Sequence, residues 1–391
     1  MTKKKILFVM DSLHAAGGEK SLVTLLNELD YDLLDVDLQL FTYGGEFEQY
    51  VPPQVHVLPR LDYYQFLSDN KGATISRWIS RIAYSITSRF GKKLHMTKAR
   101  KWWTCSQRHI PTFSKEYDVA IAYAQCLPTF YVVEKIKAKR KLGWVNCIFH
   151  LAGKEREWQR RFYKALDTIV LVSDASLEHF QHVYPDMAGK MTFMPDLISV
   201  KTIERLSTEV DQPYNDEADV RLLTVARLDA KDKGYDITLE ACRILKQRGV
   251  NFRWYAIGRG AFRPMIEQFV QEHGLQDTFI LLGTTPNPYP FIKHCDIYVQ
   301  TSRHEGFGLS IAEARILNRP VVTTQFDSVF NQMVQEKNGL IVPIDATAVA
   351  DGIQRMIEDR ELYDSIVDYQ RAEKKGNTEE INKFYKMIGV S

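Results

Sequence analysis

Long apolar runs, paired cysteines and a strong net charge are all missing from this 391-residue chain, and each absence removes a class of protein. No stretch reaches the roughly 18 apolar residues that a membrane-spanning helix requires. The five cysteines, Cys105, Cys126, Cys147, Cys242 and Cys295, are scattered and never spaced as CxxC, so neither a disulfide framework nor a zinc site is indicated. A reduced, cytoplasmic compartment is the expectation from that usage. The formal charge of +2 implies no nucleic-acid partner by itself. Repeats of solenoid period and low-complexity tracts are also lacking. Lys3-Lys4-Lys5 before Ile6–Met10 resembles the start of a signal peptide, but Asp11 ends the apolar run after five residues. That is too short for the apolar region of a secretory signal, and a buried first strand is expected instead.

What is present is an ordinary globular composition, 45% hydrophobic and 26% charged, on a chain long enough for two domains. Short apolar or β-branched runs alternate with longer helical patterns, which predicts parallel sheets covered by helices. The first half reads as strands at Ile6–Met10, Val36–Phe41, Val119–Ala122, Leu142–Val145 and Ile169–Val172, with helices at Lys20–Leu29 and Glu155–Leu166. The pattern then restarts with a strand at Arg221–Ala226, a helix at Tyr235–Arg248 and a strand at Phe252–Ile257. A helix at Phe262–His273 and strands at Phe279–Leu282, Ile297–Gln300 and Val321–Thr323 follow. Two doubly wound α/β domains in tandem are expected, at about 1–200 and 201–375, with 376–391 as a C-terminal helix crossing back to the first. The polar segment Glu209–Asp219, with Pro213 inside it, reads as the seam. Ligands of open α/β sheets bind beyond the carboxyl ends of the strands, so two such domains would face one another across a cleft.

Two constellations in the second half carry chemistry. Arg227 follows the first strand of that half, and Lys233-Gly234 opens the next helix. An Arg fork and a Lys point charge at a strand's carboxyl end suit phosphate oxygens, although surface cations are the plainer reading. The second constellation is Glu305-Gly306-Phe307-Gly308-Leu309-Ser310-Ile311-Ala312-Glu313, a glycine-bearing loop running into a helix. Glycines there allow close backbone approach, the helix start favours an anion, and carboxylates accept hydrogen bonds from sugar hydroxyls. A solvated Glu beside a helix start would be the plain alternative.

Taken together, Arg-x5-Lys-Gly and Glu-x7-Glu resemble the retaining glycosyltransferases of family four, which have the GT-B fold. The similarity continues through Ala256-Ile257-Gly258-Arg259-Gly260, Leu281-Leu282-Gly283, Asp296-Ile297-Tyr298-Val299 and Lys337-Asn338-Gly339-Leu340. In the first half, Gly17-Gly18-Glu19-Lys20 looks like the family's glycine-rich loop. The resemblance implies an enzyme that moves a hexosyl unit from a nucleoside-diphosphate sugar, UDP-linked by preference. The acceptor would be a glycan, a lipid-linked saccharide or a protein-linked one, in bacterial surface polysaccharide or glycoconjugate synthesis. It further implies Arg227 and Lys233 on the diphosphate without a metal or other cofactor, Glu305 and the Gly306–Gly308 backbone on the sugar, and Glu313 on the ribose. Gly17, Gly18, Gly258, Leu282, Phe307 and Leu309 would complete the donor side. Retention would follow from front-face attack, with the leaving phosphate taking the acceptor proton.

The sequence departs from that pattern where many members carry a His after a strand of the first half. Here Leu142-Gly143-Trp144-Val145 is followed by Asn146, and His150 comes four residues later. Asn146 as a hydrogen-bonding substitute, His150 reaching in from the loop, or a site lacking either are the open alternatives. Asp11 and His14 are further acceptor-side candidates. Asp35-Val36-Asp37 matches a metal-binding motif of the other main glycosyltransferase architecture, but it lies in an alternating strand pattern and reads as accidental.

One segment is not absorbed by this reading. Arg77 to Trp103 contains eight Lys or Arg residues, Trp78, Trp102 and Trp103, and no acidic residue. A helix over Ile75–Phe90 would place Ile79, Ile82, Ala83 and Ile86 on one side. Packing on the sheet with a solvated basic face competes with docking of 75–103 on an anionic membrane surface. Two other functions stay open: a non-catalytic GT-B subunit that stabilises a partner glycosyltransferase, and a UDP-sugar 2-epimerase.

Overall fold

The computed structural model describes residues 3–14, 17–61, 75–90, 96–110, 112–146, 153–214 and 218–390. They fall into two compact units, Met1–Leu197 with Thr378–Ser391, and Ile198–Asn377.

The first unit is built on seven parallel strands: β1 (Lys4–Met10), β2 (Leu34–Leu40), β3 (His56–Val57), β4 (Glu116–Ala122), β5 (Lys137–Val145), β6 (Thr168–Leu171) and β7 (Met191–Phe193). Their order across the sheet is β3-β2-β1-β4-β5-β6-β7. A parallel sheet covered on both faces needs strands that are apolar on both faces. Accordingly, Ile6, Leu7, Phe8 and Val9 of β1 are all fully buried. β5 begins five residues earlier than its apolar run, at Lys137. Its first residues pair with β4 alone, because β6 meets β5 only from Leu142 onward, so the Lys and Arg side chains there reach water. The tail closes this unit. Phe384, in the helix Ile381–Ile388, stacks on Phe8 at 5.9 Å between ring centroids and lies 6.3 Å from Trp144.

The polar face of β2 is not a solvated one. Asp37 and Gln39 are each only 1% exposed. Asp37 accepts from Lys115 Nζ at 2.7 Å and Tyr117 OH at 2.5 Å, and these hold its carboxyl below the usual range against the opposing effect of burial. The Asp-x-Asp match is thus half consumed by an internal ion pair.

The second unit repeats the scheme with β8 (Arg221–Val225), β9 (Arg253–Ile257), β10 (Phe279–Gly283), β11 (Ile297–Gln300), β12 (Val321–Thr324) and β13 (Gly339–Val342), ordered β10-β9-β8-β11-β12-β13. The helices Tyr235–Gln247 and Ala346–Glu358 pack together, while Val200–Leu206 meets Tyr289–His294 and Leu309–Ile316. The chain passes from one unit to the other between Leu197 and Ile198, not within Glu209–Asp219. The helix Val200–Leu206 buries Ile203 and Leu206 in the second unit, so the polar stretch that follows it belongs to that unit. Both units are therefore Rossmann-like and doubly wound, as expected for GT-B. In each, strand order reverses at the pair formed by the unit's first and fourth strands, which is where such sheets hold ligands.

Candidate active site

In the second unit that pair is β8 and β11, with Ile297 beside Leu222 and Tyr298 beside Leu223. The loop after each strand carries one of the two constellations. The loop after β8 turns at Asp229, whose side chain accepts from Asp232 N at 2.9 Å, and ends at Gly234 in the left-handed region, φ +66°. A Cβ on Gly234 would lie 2.0 Å from the Thr301 carbonyl, so only glycine lets the helix Tyr235–Gln247 start so close to the end of β11. A backbone bond from Arg303 N to Asp232 O (2.8 Å) and a side-chain bond from Thr301 Oγ1 to Lys233 O (3.1 Å) fasten the two loops together. Arg303 adds a fork, both nitrogens reaching Asp236 at 2.7 Å, and also donates to Ala230 O at 2.6 Å. This bidentate pairing raises the Arg303 pKa and holds the Asp236 carboxyl low.

Glu305 is the centre of the arrangement. Its Oε2 accepts from Lys233 Nζ at 2.6 Å, and its Oε1 accepts from Gln300 Nε2 at 2.9 Å and Ser302 Oγ at 2.7 Å. The Gln300 amide is fixed in turn by the Tyr298 hydroxyl, which donates to Gln300 Oε1 at 2.8 Å. Burial pushes the Tyr298 phenol well above its ordinary value, so it remains a donor. The Lys233 and Glu305 side chains are 20% and 10% exposed, enclosed enough for the pair to resist screening. Arg227 is different. It is 58% exposed and meets Asp232 at 3.0 Å and Asp229 at 3.6 Å, a surface pairing that exchanges readily with another anion.

Beyond Glu305 the loop is held from behind. Ser328 Oγ donates to Glu305 O at 3.1 Å, and Gln332 Nε2 donates to Gly308 O at 3.1 Å and to Phe307 O. Gly308, φ +85°, caps the helix Leu309–Ile316, and a Cβ there would stand 3.0 Å from Gln332 Nε2. A Cβ on Gly306 would meet no atom within 4 Å, so the protein itself does not require that glycine. The open surface it leaves is on the side facing solvent. Phe307 and Leu309 are half-buried beside it, and Glu313 is buried at 3% exposure. Gly258 has an internal reason to be glycine, since its Cβ would fall 1.9 Å from Ala226 O. Leu282 sits on edge strand β10, two strands from β8, and is 37% exposed; it joins none of these contacts.

The first unit reverses order between β1 and β4, and its candidates gather there. Gly17 and Gly18 begin the helix Gly17–Asn27 after β1. A Cβ on Gly18 would stand 2.9 Å from Asn146 Nδ2, so these two residues are in direct contact. Asn146 Nδ2 donates to Tyr123 O at 2.7 Å, which fixes the amide's orientation and leaves Oδ1 buried with no hydrogen-bond partner among the described residues. Burial, with repulsion from Glu19 added, pushes Asp11 up to about 7. His14 is paired with Glu46, Nδ1 to Oε2, at 3.1 Å. His150 lies outside the described residues. Sequence reasoning missed Asp196, after β7, which burial pushes up to about 6 and which accepts from Ser21 Oγ at 2.5 Å. It missed Gln300, Ser302, Arg303 and Gln332 as well. The signal for the first three was visible as polar residues crowding the end of an otherwise buried strand. Among the described residues no group of three or more His, Cys, Asp or Glu side chains is placed to hold a metal ion.

Residues 208–373 match the family model described as Glycosyl transferases group 1. Over 146 residues the chain is 30% identical to the amylovoran biosynthesis glycosyltransferase AmsK of Erwinia amylovora, covering 35% of this chain and 36% of that protein. Over 202 residues it is 25% identical to the N-acetylgalactosamine-N,N'-diacetylbacillosaminyl-diphospho-undecaprenol 4-alpha-N-acetylgalactosaminyltransferase of Campylobacter jejuni, covering 51% and 53%. The match thus spans about a third to a half of the curated relatives' length. The Anabaena protein HepE, crystallised with UDP and glucose, superposes with a TM-score of 0.69 at 17% identity over 98% of both chains. That likeness establishes the fold in both units.

Proposed function

We propose that this chain transfers a hexosyl unit from a nucleoside-diphosphate sugar, UDP-linked by preference, to a glycan, lipid-linked or protein-linked acceptor in bacterial polysaccharide or glycoconjugate synthesis. The observation that carries the reading is the Lys233–Glu305 pair, 2.6 Å apart, with Arg227 beside it at the order reversal of the second sheet. A cation held against a carboxylate at that point suits a ligand that is anionic at one end and hydroxylated at the other. Arg227 exchanges Asp232 for a phosphate oxygen, Lys233 takes another, and Glu305 accepts from sugar hydroxyls. Charge that builds on the leaving diphosphate is neutralised by these two side chains, with no metal required. The acceptor oxygen forms the new bond to the anomeric carbon on the face from which the phosphate departs, and the acceptor proton passes to that phosphate, so configuration is retained. Glu313 binds the ribose. Asn146 Oδ1, buried without a partner, accepts from an acceptor hydroxyl.

The names of the relatives support the chemistry: one is a glycosyltransferase of polysaccharide biosynthesis, another acts on a diphospho-undecaprenol saccharide. A thermal-shift screen against UDP-, GDP- and ADP-sugars, followed by hydrolysis assays with and without EDTA, tests the proposal. One nucleotide class should raise Tm and be hydrolysed slowly, equally well in EDTA, and Lys233→Ala should abolish both. A donor that binds the Lys233→Ala variant as well as the parent, or hydrolysis by neither, would favour a non-catalytic subunit. Turnover that EDTA eliminates would overturn the metal-independent step.

A further inference from the structure

The acid-free segment of the first unit contains a long helix with a run of apolar residues that turn away from the protein. In Ile75–Phe90 the inward positions recur every three or four residues. Ser80 Oγ lies 2.8 Å from His109 Nε2, Tyr84 packs against the core around Trp102 and Trp103, and Thr87 Oγ1 lies 3.8 Å from Cys105 Sγ. With 100° per residue, that places Trp78, Ile82 and Ile86 on the opposite side, with Ile79 at its margin. These four are 60%, 38%, 52% and 56% exposed. Isolated exposed hydrophobes are normal, but a stripe of four on one helix marks an interaction surface. Packing of Ile79, Ile82 and Ile86 on the sheet is therefore ruled out. The aromatic part of the sequence expectation also changes. Trp102 and Trp103 are 3% and 0% exposed, and Trp103 Nε1 donates to Glu134 at 2.9 Å, leaving Trp78 as the exposed indole of the segment.

We propose that this helix docks the chain on an anionic lipid surface, with Trp78, Ile79, Ile82 and Ile86 entering the headgroup boundary and Arg77, Arg81 and Arg89 lying at the phosphates. Charge complementarity selects the occupant. Residues 71–115 contain eleven Lys or Arg and no Asp or Glu. A second copy of this chain would bring the same acid-free stretch against itself, cation facing cation. A neutral apolar partner would cover the stripe and gain nothing from its basic flanks. A bilayer rich in anionic headgroups answers both the stripe and its basic flanks, and Trp is the side chain best suited to that boundary. Each cation near such a surface contributes about 1 kcal/mol, roughly fivefold in affinity, which 0.5 M salt screens.

The test uses the full chain and vesicles, and it is independent of sugar transfer. Flotation with phosphatidylglycerol-containing vesicles should capture the protein, pure phosphatidylcholine should not, and 0.5 M salt should release it. Changing Trp78, Ile82 and Ile86 together to Ser should lower vesicle affinity at least tenfold while Tm stays near the parent value, since all three side chains are exposed. Brominated anionic lipid should quench part of the tryptophan emission, and Trp78→Phe should remove that quenching. Three results would overturn the proposal. They are capture on neither vesicle type, equal capture on both, and a lipid-free dimer of the parent that the triple variant abolishes, which would make a second copy the occupant.

Discussion

The two sheets reverse strand order at equivalent places, yet the side chains gathered there follow opposite electrostatic designs. In the second unit, Lys233 faces Glu305 and Arg227 faces Asp232, so each cation already has an anion. In the first unit, Asp11 and Asp196 are acids that burial pushes toward neutrality, and the Asn146 amide oxygen is buried unbonded. A compensated site can trade an internal carboxylate for a ligand phosphate with little change in desolvation, because a charge pair is present before and after. A site of near-neutral acids and an orphaned acceptor is better matched to uncharged hydroxyls. One topology thus ends in compensated charge pairs in the second unit and in buried acids pushed toward neutrality in the first, and the difference lies in which residues end the strands.

Breaking the compensated site has the largest expected effect. Lys233→Ala should lower turnover by roughly 10²–10³, and Arg227→Ala by somewhat less because its pairing is exposed. Steady-state kinetics with the donor identified by thermal shift would check both, and near-normal turnover in either would remove its assigned role. Next, Gln300→Leu deprives Glu305 of one donor and Tyr298 of the nearer of its two acceptors. A charge-assisted hydrogen bond at that position should be worth about tenfold in kcat/KM. An unchanged value would mean Ser302 and Lys233 suffice to hold the carboxylate.

In the first unit, Asn146→Leu should raise KM for the acceptor by about tenfold while donor hydrolysis stays unchanged. If donor hydrolysis falls in parallel, Asn146 is not acting on the acceptor alone. The smallest effect is on stability. Asp11 has a folded pKa of about 7 against an ordinary 3.8, so the folded state binds its proton more tightly than the unfolded state. The stability this provides is complete below about pH 4 and is lost as pH rises through 7. Asp11→Asn should therefore melt like the parent near pH 4 and gain on it steadily as pH rises to 8, each unit of the Asp11 shift being worth about 1.4 kcal/mol. A constant difference in Tm across that range would show that Asp11 does not titrate there.

Much of this was legible because it depends on local pattern. The buried strands announced themselves as apolar runs, since a strand covered on both faces cannot alternate. β3, β7 and β13 were not read, because two to four residues at a sheet edge carry too little periodicity. The donor-side pair was legible as spacing, Arg-x5-Lys and Glu-x7-Glu, but its supports were not. Gln300 supports Glu305 only because β11 is buried and turns sharply into the loop, bringing residues five apart onto one carboxylate. Asp232 as the partner of Arg227 and Arg303 as the partner of Asp236 likewise depend on two loops meeting across adjacent strands.

By itself, the sequence determined the doubly wound class of both halves, the two cations and two carboxylates of the second, and an amphipathic basic helix in the first. Those follow from hydrophobic period and residue chemistry, which short stretches of chain encode. Tertiary structure decided which charges neutralise which, that Asn146 rests against Gly18 with its oxygen buried, and that Trp78 faces solvent while Trp102 and Trp103 do not. These are relations between segments distant in sequence. They are fixed by the order in which parallel strands lie side by side, and no local pattern records that order.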